Sequence, residues 1–179
     1  LREEGFPGPV VLISREPGVP VGRPPLSKTY LRSEEDLSAW YVRPADWYAE
    51  HDIDTRFGET VVSIDRDARS VALASGDSVP YERLLLATGS RPRTLDVPGA
   101  DLEGVVSLRR IGDSDAIREA YGQATSVVII GAGWIGLETA SAARAAGLQV
   151  TVLEYAPLPL GRVLGEELAT YFADLHRRN

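Results

Sequence analysis

One stretch, residues 126–154, constrains the fold more than any other: SVVIIGAGWIGLETASAARAAGLQVTVLE. Ser126–Ile130 is short, apolar and rich in β-branched residues, the pattern of a buried parallel strand. Gly131-Ala132-Gly133-Trp134-Ile135-Gly136 follows without a gap, then an alanine-rich helical run over 137–146 with Gly147 as its stop. Gln149–Leu153 reads as a second apolar strand, closed by Glu154. The order is strand, glycine turn, helix, strand, acid. In such a unit Gly131 allows the tight turn off the strand, Gly133 lets the backbone approach a pyrophosphate, and Gly136 lets the helix pack close to the sheet. The helix N-terminus offers N–H groups and a partial positive charge to phosphates. Glu154 stands 18 residues beyond Gly136, where an acid accepts hydrogen bonds from ribose hydroxyls. A dinucleotide site is therefore expected here. The alternative is a glycine-rich turn that serves helix–strand packing alone.

The rest of the chain repeats part of this pattern. Residues 1–4 read as the end of a helix with Gly5 as its stop, and residues 9–14 (PVVLIS) as a strand followed closely by Glu16. Glu16 is thus the candidate ribose acid of a further nucleotide unit, whose glycine turn would lie about 20 residues upstream; taken alone, Glu16 reads as a surface carboxylate before it reads as a ribose acid. There is no methionine, even at position 1, and both ends read as cut, so an internal fragment of a longer protein is expected. Residues 17–25 form a Pro/Gly-rich loop, and 26–32 are expected as a short helix. Pro44 starts a helix to about His51. Residues 53–57, 60–65 and 70–74 read as short strands of a small antiparallel insertion. Residues 81–87 (YERLLLA) read as a return to a buried strand that ends at Thr88-Gly89, and a glycine where a strand leaves a sheet is where ligands meet open α/β folds. Residues 105–108 read as one more strand, Gly112-Asp113-Ser114 as a cap for a helix to about Tyr121, and 165–178 as a helix with acids in its first turn and arginines in its last. The expected class is α/β: two nucleotide-binding Rossmann-like units, over 1–108 and 109–179, with a small antiparallel β insertion, truncated at both ends.

Composition removes several functions. A net charge of −7 argues against a general nucleic-acid binder, which carries a basic field. With no cysteine, these residues hold no disulfide, thiolate metal site or redox-active cysteine pair. No apolar run approaches the ~20 residues that span a bilayer, and no signal-peptide pattern is visible, so a cytoplasmic protein without membrane partners is expected. His51 and His176 are the only histidines, far apart in sequence. Neither a metal site nor an acid–base triad is expected.

Three segments occur in a familiar order: Arg23-Pro24-Pro25-Leu26-Ser27-Lys28, Leu84-Leu85-Leu86-Ala87-Thr88-Gly89-Ser90-Arg91-Pro92, and GAGWIGLE from Gly131 to Glu138. Over essentially its whole length the chain resembles the FAD-dependent, NAD(P)H-dependent ferredoxin reductases, the reductase components of aromatic-ring dioxygenases and the rubredoxin and putidaredoxin reductases. The resemblance implies a FAD/NAD(P)-binding fold, with a partial FAD domain over 1–108 and the opening half of an NAD domain over 109–179. It implies that NADH reduces FAD, which passes single electrons to a small iron–sulfur carrier such as a ferredoxin or rubredoxin that feeds an oxygenase. By resemblance Glu16 holds the FAD adenosine ribose. Arg23, Pro24 and Lys28 run along the flavin and its phosphates, where a cation answers the negative charge of the reduced ring. Thr88 and Gly89 form the turn beside FAD, with Arg91 as a further contact. Gly131, Gly133 and Gly136, with Trp134 and Ile135 between them, match the NAD phosphate turn, and Glu138 points toward the nicotinamide. Lys28 and Glu138 are the candidate catalytic residues.

Each has a plainer reading: Lys28 a solvated lysine, Thr88-Gly89 a strand-ending turn, Arg91 a surface arginine, Glu138 a carboxylate at a helix's positive end, and Trp134 a packing residue. Gly22 departs from the pattern, which usually has an acid before Arg-Pro-Pro. Glu154 favours NADH over NADPH because it repels a 2′-phosphate. The same fold also serves NADH oxidases, nitrite-reductase-type flavoproteins and flavin-binding signalling proteins of the apoptosis-inducing type.

Overall fold

The computed structural model describes residues 1–178, which form two compact units: Leu1–Gly22 with Ser38–Ser90, and Arg23–Leu37 with 91–178.

In the first unit β1 (Val10–Ser14) lies parallel to β2 (Ile53–Phe57), with Val10 opposite Ile53 and Ser14 opposite Phe57. Helix α1 (Ala45–Glu50) leads into β2 and is entered through Pro44, whose fixed φ suits the start of a helix. Tyr48 is the buried residue of α1 and meets the Phe57 ring edge-on at 5.8 Å. Residues 1–5 form a turn that ends at Gly5, φ +75°. Arg2 anchors that turn by donating to the carbonyl oxygens of His51 and Asp52, each at 2.8 Å. Strands β3 (Val61–Asp65), β4 (Ser70–Leu73) and β5 (Ser78–Pro80) form an antiparallel meander with Val71 and Leu73 buried.

Two expectations fail in this unit. Residues 53–57 are not part of the antiparallel insertion but the parallel partner of β1. Alternation of side chains is the same in both settings, so it does not reveal the partner. Residues 81–87 are not a buried strand. They form no regular element, and Leu85 is 85% exposed. An extended apolar run becomes a strand only when another backbone answers its N–H and C=O groups, and none of the strands pairs with it among the described residues.

The second unit is built on α2 (Ile111–Gln123), β6 (Ser126–Ile130), α3 (Trp134–Ala145), β7 (Gln149–Leu153) and α4 (Gly161–Arg178). β6 and β7 are parallel, with Ser126 opposite Gln149 and Ile130 opposite Leu153. Leu137, Ala140, Ala142 and Ala143 of α3 are buried. Small side chains on that face allow a close approach, and Gly147, φ +89°, ends the helical run. The expected burial of β6 holds for one face only: Val127 and Ile129 are half-buried, whereas Val128 and Ile130 are each 61% exposed. Helix α4 breaks its helical angles at Gly165 (φ +78°), so 166–178 is the regular portion.

Arg23–Leu37 packs in this unit. Its apolar anchor is Leu31, in a core cluster with Ile117 of α2 and Ala142 of α3. Ser114 of α2, fully buried, donates from Oγ to the Leu26 carbonyl at 2.9 Å. Tyr30 donates its hydroxyl proton to Asp115 Oδ1 at 2.7 Å, and the Arg118 guanidinium lies 4.9 Å over the Tyr30 ring. The expected helix over 26–32 is replaced by one 3-10 turn, Pro24–Ser27, after which Lys28 leaves helical space at φ −127°, ψ −114°. Long-range anchoring of Leu26, Tyr30 and Leu31 overrides the local helical pattern. Residues 105–108 are not a strand; Val105 and Val106 are exposed. Helix α2 begins one residue before the expected cap, and Asp113 Oδ2 accepts from the backbone N–H groups of Arg109 (2.9 Å) and Arg110 (2.7 Å). The division expected at 108/109 follows nucleotide units, whereas the compact units follow packing.

Among the described residues no helix is long and apolar enough to cross a membrane. None of the groupings of His, Cys, Asp and Glu among them is placed to hold a metal ion.

Candidate functional site

The glycine turn continues the sheet by one bond before leaving it: Gly131 N donates to the Leu153 carbonyl at 2.7 Å. Gly131 then takes φ +104°, a region that L side chains rarely adopt. Ala132 is buried with Leu137 and Leu160. Gly133 enters α3, and its carbonyl accepts the first helical bond, from Leu137 N at 3.0 Å. Helix geometry leaves the N–H groups of Trp134, Ile135 and Gly136 without intrahelical acceptors.

The glycines differ in what demands them. Gly131 answers the backbone angle. At Gly136 a Cβ would collide with the Gly131 carbonyl oxygen, while meeting Ile129 Cγ2 of β6 only at ordinary contact distance. Gly133 answers neither need: its angles, φ −80° and ψ −177°, suit any residue, and a Cβ there would meet nothing within 4 Å. Among the described residues its bareness serves no neighbour. It leaves room beside helix N–H groups, which fits a pyrophosphate.

Glu154 closes the turn from the end of β7. Its Oε2 accepts from Ala132 N at 2.7 Å and its Oε1 from Ala156 N at 2.9 Å. The Ala156 N–H, then the Ala132 N–H, hold this carboxyl below its ordinary value, against a smaller opposing push from burial.

One helical turn beyond Trp134, Glu138 meets the Arg-Pro-Pro-Leu-Ser-Lys segment. Lys28 Nζ lies 2.8 Å from Glu138 Oε2, and Ser27 Oγ donates to the same oxygen at 2.6 Å. The Lys28 and Glu138 side chains are 42% and 24% exposed, so the pair is partly open to solvent. Lys28 Nζ also donates to the Pro24 carbonyl at 3.3 Å, and Arg23 Nη1 to the Arg109 carbonyl at 3.4 Å. Both candidate catalytic residues therefore meet, and Ser27, buried and not singled out in the sequence, joins them. In the sequence the only signal for Ser27 is its place inside Arg-Pro-Pro-Leu-Ser-Lys. Trp134 and Ile135 are exposed, and the Trp134 ring stands edge-on to Phe172 of α4 at 6.0 Å.

The other candidates lie elsewhere. Glu16, half-buried in the first unit, follows β1 as Glu154 follows β7, and its carbonyl accepts from Gly58 N at 3.2 Å. Thr88 and Gly89, in the first unit, and Arg91, in the second, stand in an exposed run without regular structure, with Gly89 at φ +69°. Within the second unit the donor set fits a dinucleotide at the glycine turn. The Lys28 cation fits an anionic ring or phosphate.

The family described as Pyridine nucleotide-disulphide oxidoreductase matches residues 1–179. The chain is 46% identical to the rhodocoxin reductase of Rhodococcus erythropolis over 176 residues, which is 98% of this chain and 41% of that protein. It superposes on a ferredoxin reductase from Rhodopseudomonas palustris with a TM-score of 0.94 at 44% identity, covering 99% of this chain and 44% of the other. Against the reductase of a covalent putidaredoxin reductase–putidaredoxin complex the TM-score is 0.91 at 36% identity, covering 99% and 43%. The chain thus spans less than half the length of these relatives.

Proposed function

This chain belongs to the pyridine nucleotide-disulphide oxidoreductase family, and from that premise we propose that the whole protein is a FAD-dependent reductase that carries electrons from NADH to a small iron–sulfur protein, a ferredoxin or rubredoxin, which feeds an oxygenase. The observation that carries the reading is the Lys28–Glu138 ion pair, 2.8 Å long, one helical turn past the start of α3. A turn that served packing alone would not need Gly133 bare or an ion pair open beside it.

In this reading the N–H groups at the start of α3 hold the pyrophosphate, and Glu154 accepts hydrogen bonds from the adenosine ribose. Its negative charge repels a 2′-phosphate, so NADH is preferred to NADPH. Ser27 and Lys28 hold the Glu138 carboxylate at the nicotinamide end, and Lys28, with Arg23 and Pro24, lies along the flavin. Glu16, Thr88, Gly89 and Arg91 hold the rest of FAD. Residues 1–108 belong to the FAD-binding domain and 109–179 to the NAD-binding domain. The bound nicotinamide and flavin supply the hydride and single-electron chemistry. The protein works in the cytoplasm.

The reading of the partner class is supported by the relatives, one of which is a reductase joined covalently to putidaredoxin. The test is the visible spectrum of the purified whole protein, followed by NADH-driven reduction of cytochrome c with and without added ferredoxins. The expected result is a flavin spectrum that bleaches with NADH and a cytochrome c rate that rises with a ferredoxin. A protein that bleaches but passes electrons only to oxygen refutes the proposal in favour of an oxidase.

A further inference from the structure

Glu154 does more in this structure than stand ready for a ribose. Both of its carboxylate oxygens are engaged by backbone N–H groups, Ala132 at 2.7 Å and Ala156 at 2.9 Å. Ala132 is the buried residue between the first two glycines of the turn. Its carbonyl is engaged as well, accepting from Leu160 N at 3.1 Å. Ala132 is therefore held by its N–H and its C=O to the segment that follows β7. Immediately before it, Gly131 N is bonded to the Leu153 carbonyl at 2.7 Å. The turn has one backbone donor, Ala132 N–H, that a carboxylate of the chain itself takes up. The donors from Trp134 to Gly136 remain for an external anion.

We propose that Glu154 is a positioning residue for the phosphate turn: its carboxylate ties Ala132 to the end of β7 and so sets which N–H groups face the pyrophosphate. This deepens the proposed NADH site and rests on it for the identity of the ligand. A carboxylate has about four lone-pair directions, so after the two backbone bonds it still accepts from ribose hydroxyls. The same group thereby couples the adenosine end of the nucleotide to the phosphate end. It also follows that Glu154→Arg does not merely exchange one cofactor for the other. It sets a positive charge against the Ala132 N–H and releases the turn.

The experiment separates the two roles by removing the ribose contact from the ligand. Binding of NAD+, and of an NAD+ analogue whose adenosine ribose lacks both hydroxyls, is measured by calorimetry on the whole holoprotein, as wild type, Glu154→Ala and Glu154→Gln. Hydrogen exchange of the Ala132 and Gly131 amides is followed on the same samples without nucleotide. The expected result is that Glu154→Ala weakens the analogue roughly tenfold, the size of one charge-assisted hydrogen bond, and speeds Ala132 exchange far more than Gly131 exchange. Glu154→Gln keeps one carbonyl acceptor and falls nearer wild type in both. A role confined to the ribose makes the cycle fully coupled: the analogue then binds wild type and Glu154→Ala equally, Ala132 exchange does not change, and the proposal is overturned. If wild type binds neither nucleotide but Ala132 exchange is still faster in Glu154→Ala than in wild type, the positioning role is supported and the NADH reading is removed.

Discussion

Gly133→Ala separates a ligand cradle from a packing turn. One small cost and one small gain act on the fold. The backbone angles at Gly133 already suit alanine, and the added Cβ meets nothing within 4 Å. Alanine is a poorer residue than glycine at a helix N-cap, by up to about 1 kcal/mol. Against this, removing a glycine lowers the entropy of the unfolded chain, worth about 0.4–1 kcal/mol in favour of the variant. These nearly cancel, so the expected change in stability is within about 1 kcal/mol. Binding is another matter. A methyl group in the cradle pushes the pyrophosphate away from the N–H groups at the start of α3. Hydrogen bonds to a charged acceptor are worth about 1.5–3 kcal/mol each, so losing two costs about 3 kcal/mol or more, a loss of at least about a hundredfold in affinity. Gly136→Ala is the control: its Cβ collides with the rigid Gly131 carbonyl, and overpacking of this kind costs about 1–3 kcal/mol in stability. The assays are denaturant unfolding and NAD+ calorimetry on the whole protein. Gly133→Ala that unfolds as easily as Gly136→Ala, or that binds NAD+ as wild type does, refutes the cradle.

Other outcomes follow from the same geometry. The Glu154 carboxyl is held below its ordinary 4.5 by the Ala156 and Ala132 N–H groups, so its contribution to stability is complete above that value and is lost as pH falls through the lower folded one; Ala132 amide protection that does not weaken below pH 4.5 would contradict this. Ser27→Ala removes a buried donor from Glu138, and because that carboxylate keeps Lys28 and some solvent, the expected loss is about 1–2 kcal/mol by denaturant unfolding; an unchanged midpoint means that Ser27 does not hold Glu138. With NADH as donor the kcat/KM of the whole protein is expected to exceed that with NADPH, and equal values would remove Glu154 from the ribose.

Much of the second unit was legible in advance because its signals are local. Helix α3, its stop at Gly147 and the strands on either side follow from 3.6-residue periodicity, β-branched runs and glycine angles, each set within a few residues. Pro44 marks the start of α1 for the same reason. At 81–87 and 105–108 the sequence pattern and the structure differ because an apolar run reports a tendency to be buried, not a partner. At 53–57 the alternation shows a strand but not the sheet it joins, which is that of β1.

By itself, then, the sequence of residues 126–154 determined a strand–turn–helix–strand unit with an acid at its end, and the roles of Gly131 and Gly136 within it. Only the tertiary structure decided that Ser27 and Lys28 share one oxygen of Glu138, across a separation of 111 residues for Ser27, that 53–57 lies parallel to β1, and that Glu154 holds the backbone of Ala132. The division has a physical cause. Backbone angles and helical periodicity are properties of neighbours along the chain. Hydrogen-bond partners are properties of whatever the folded chain brings within 3 Å or so, and nothing in a local pattern names them.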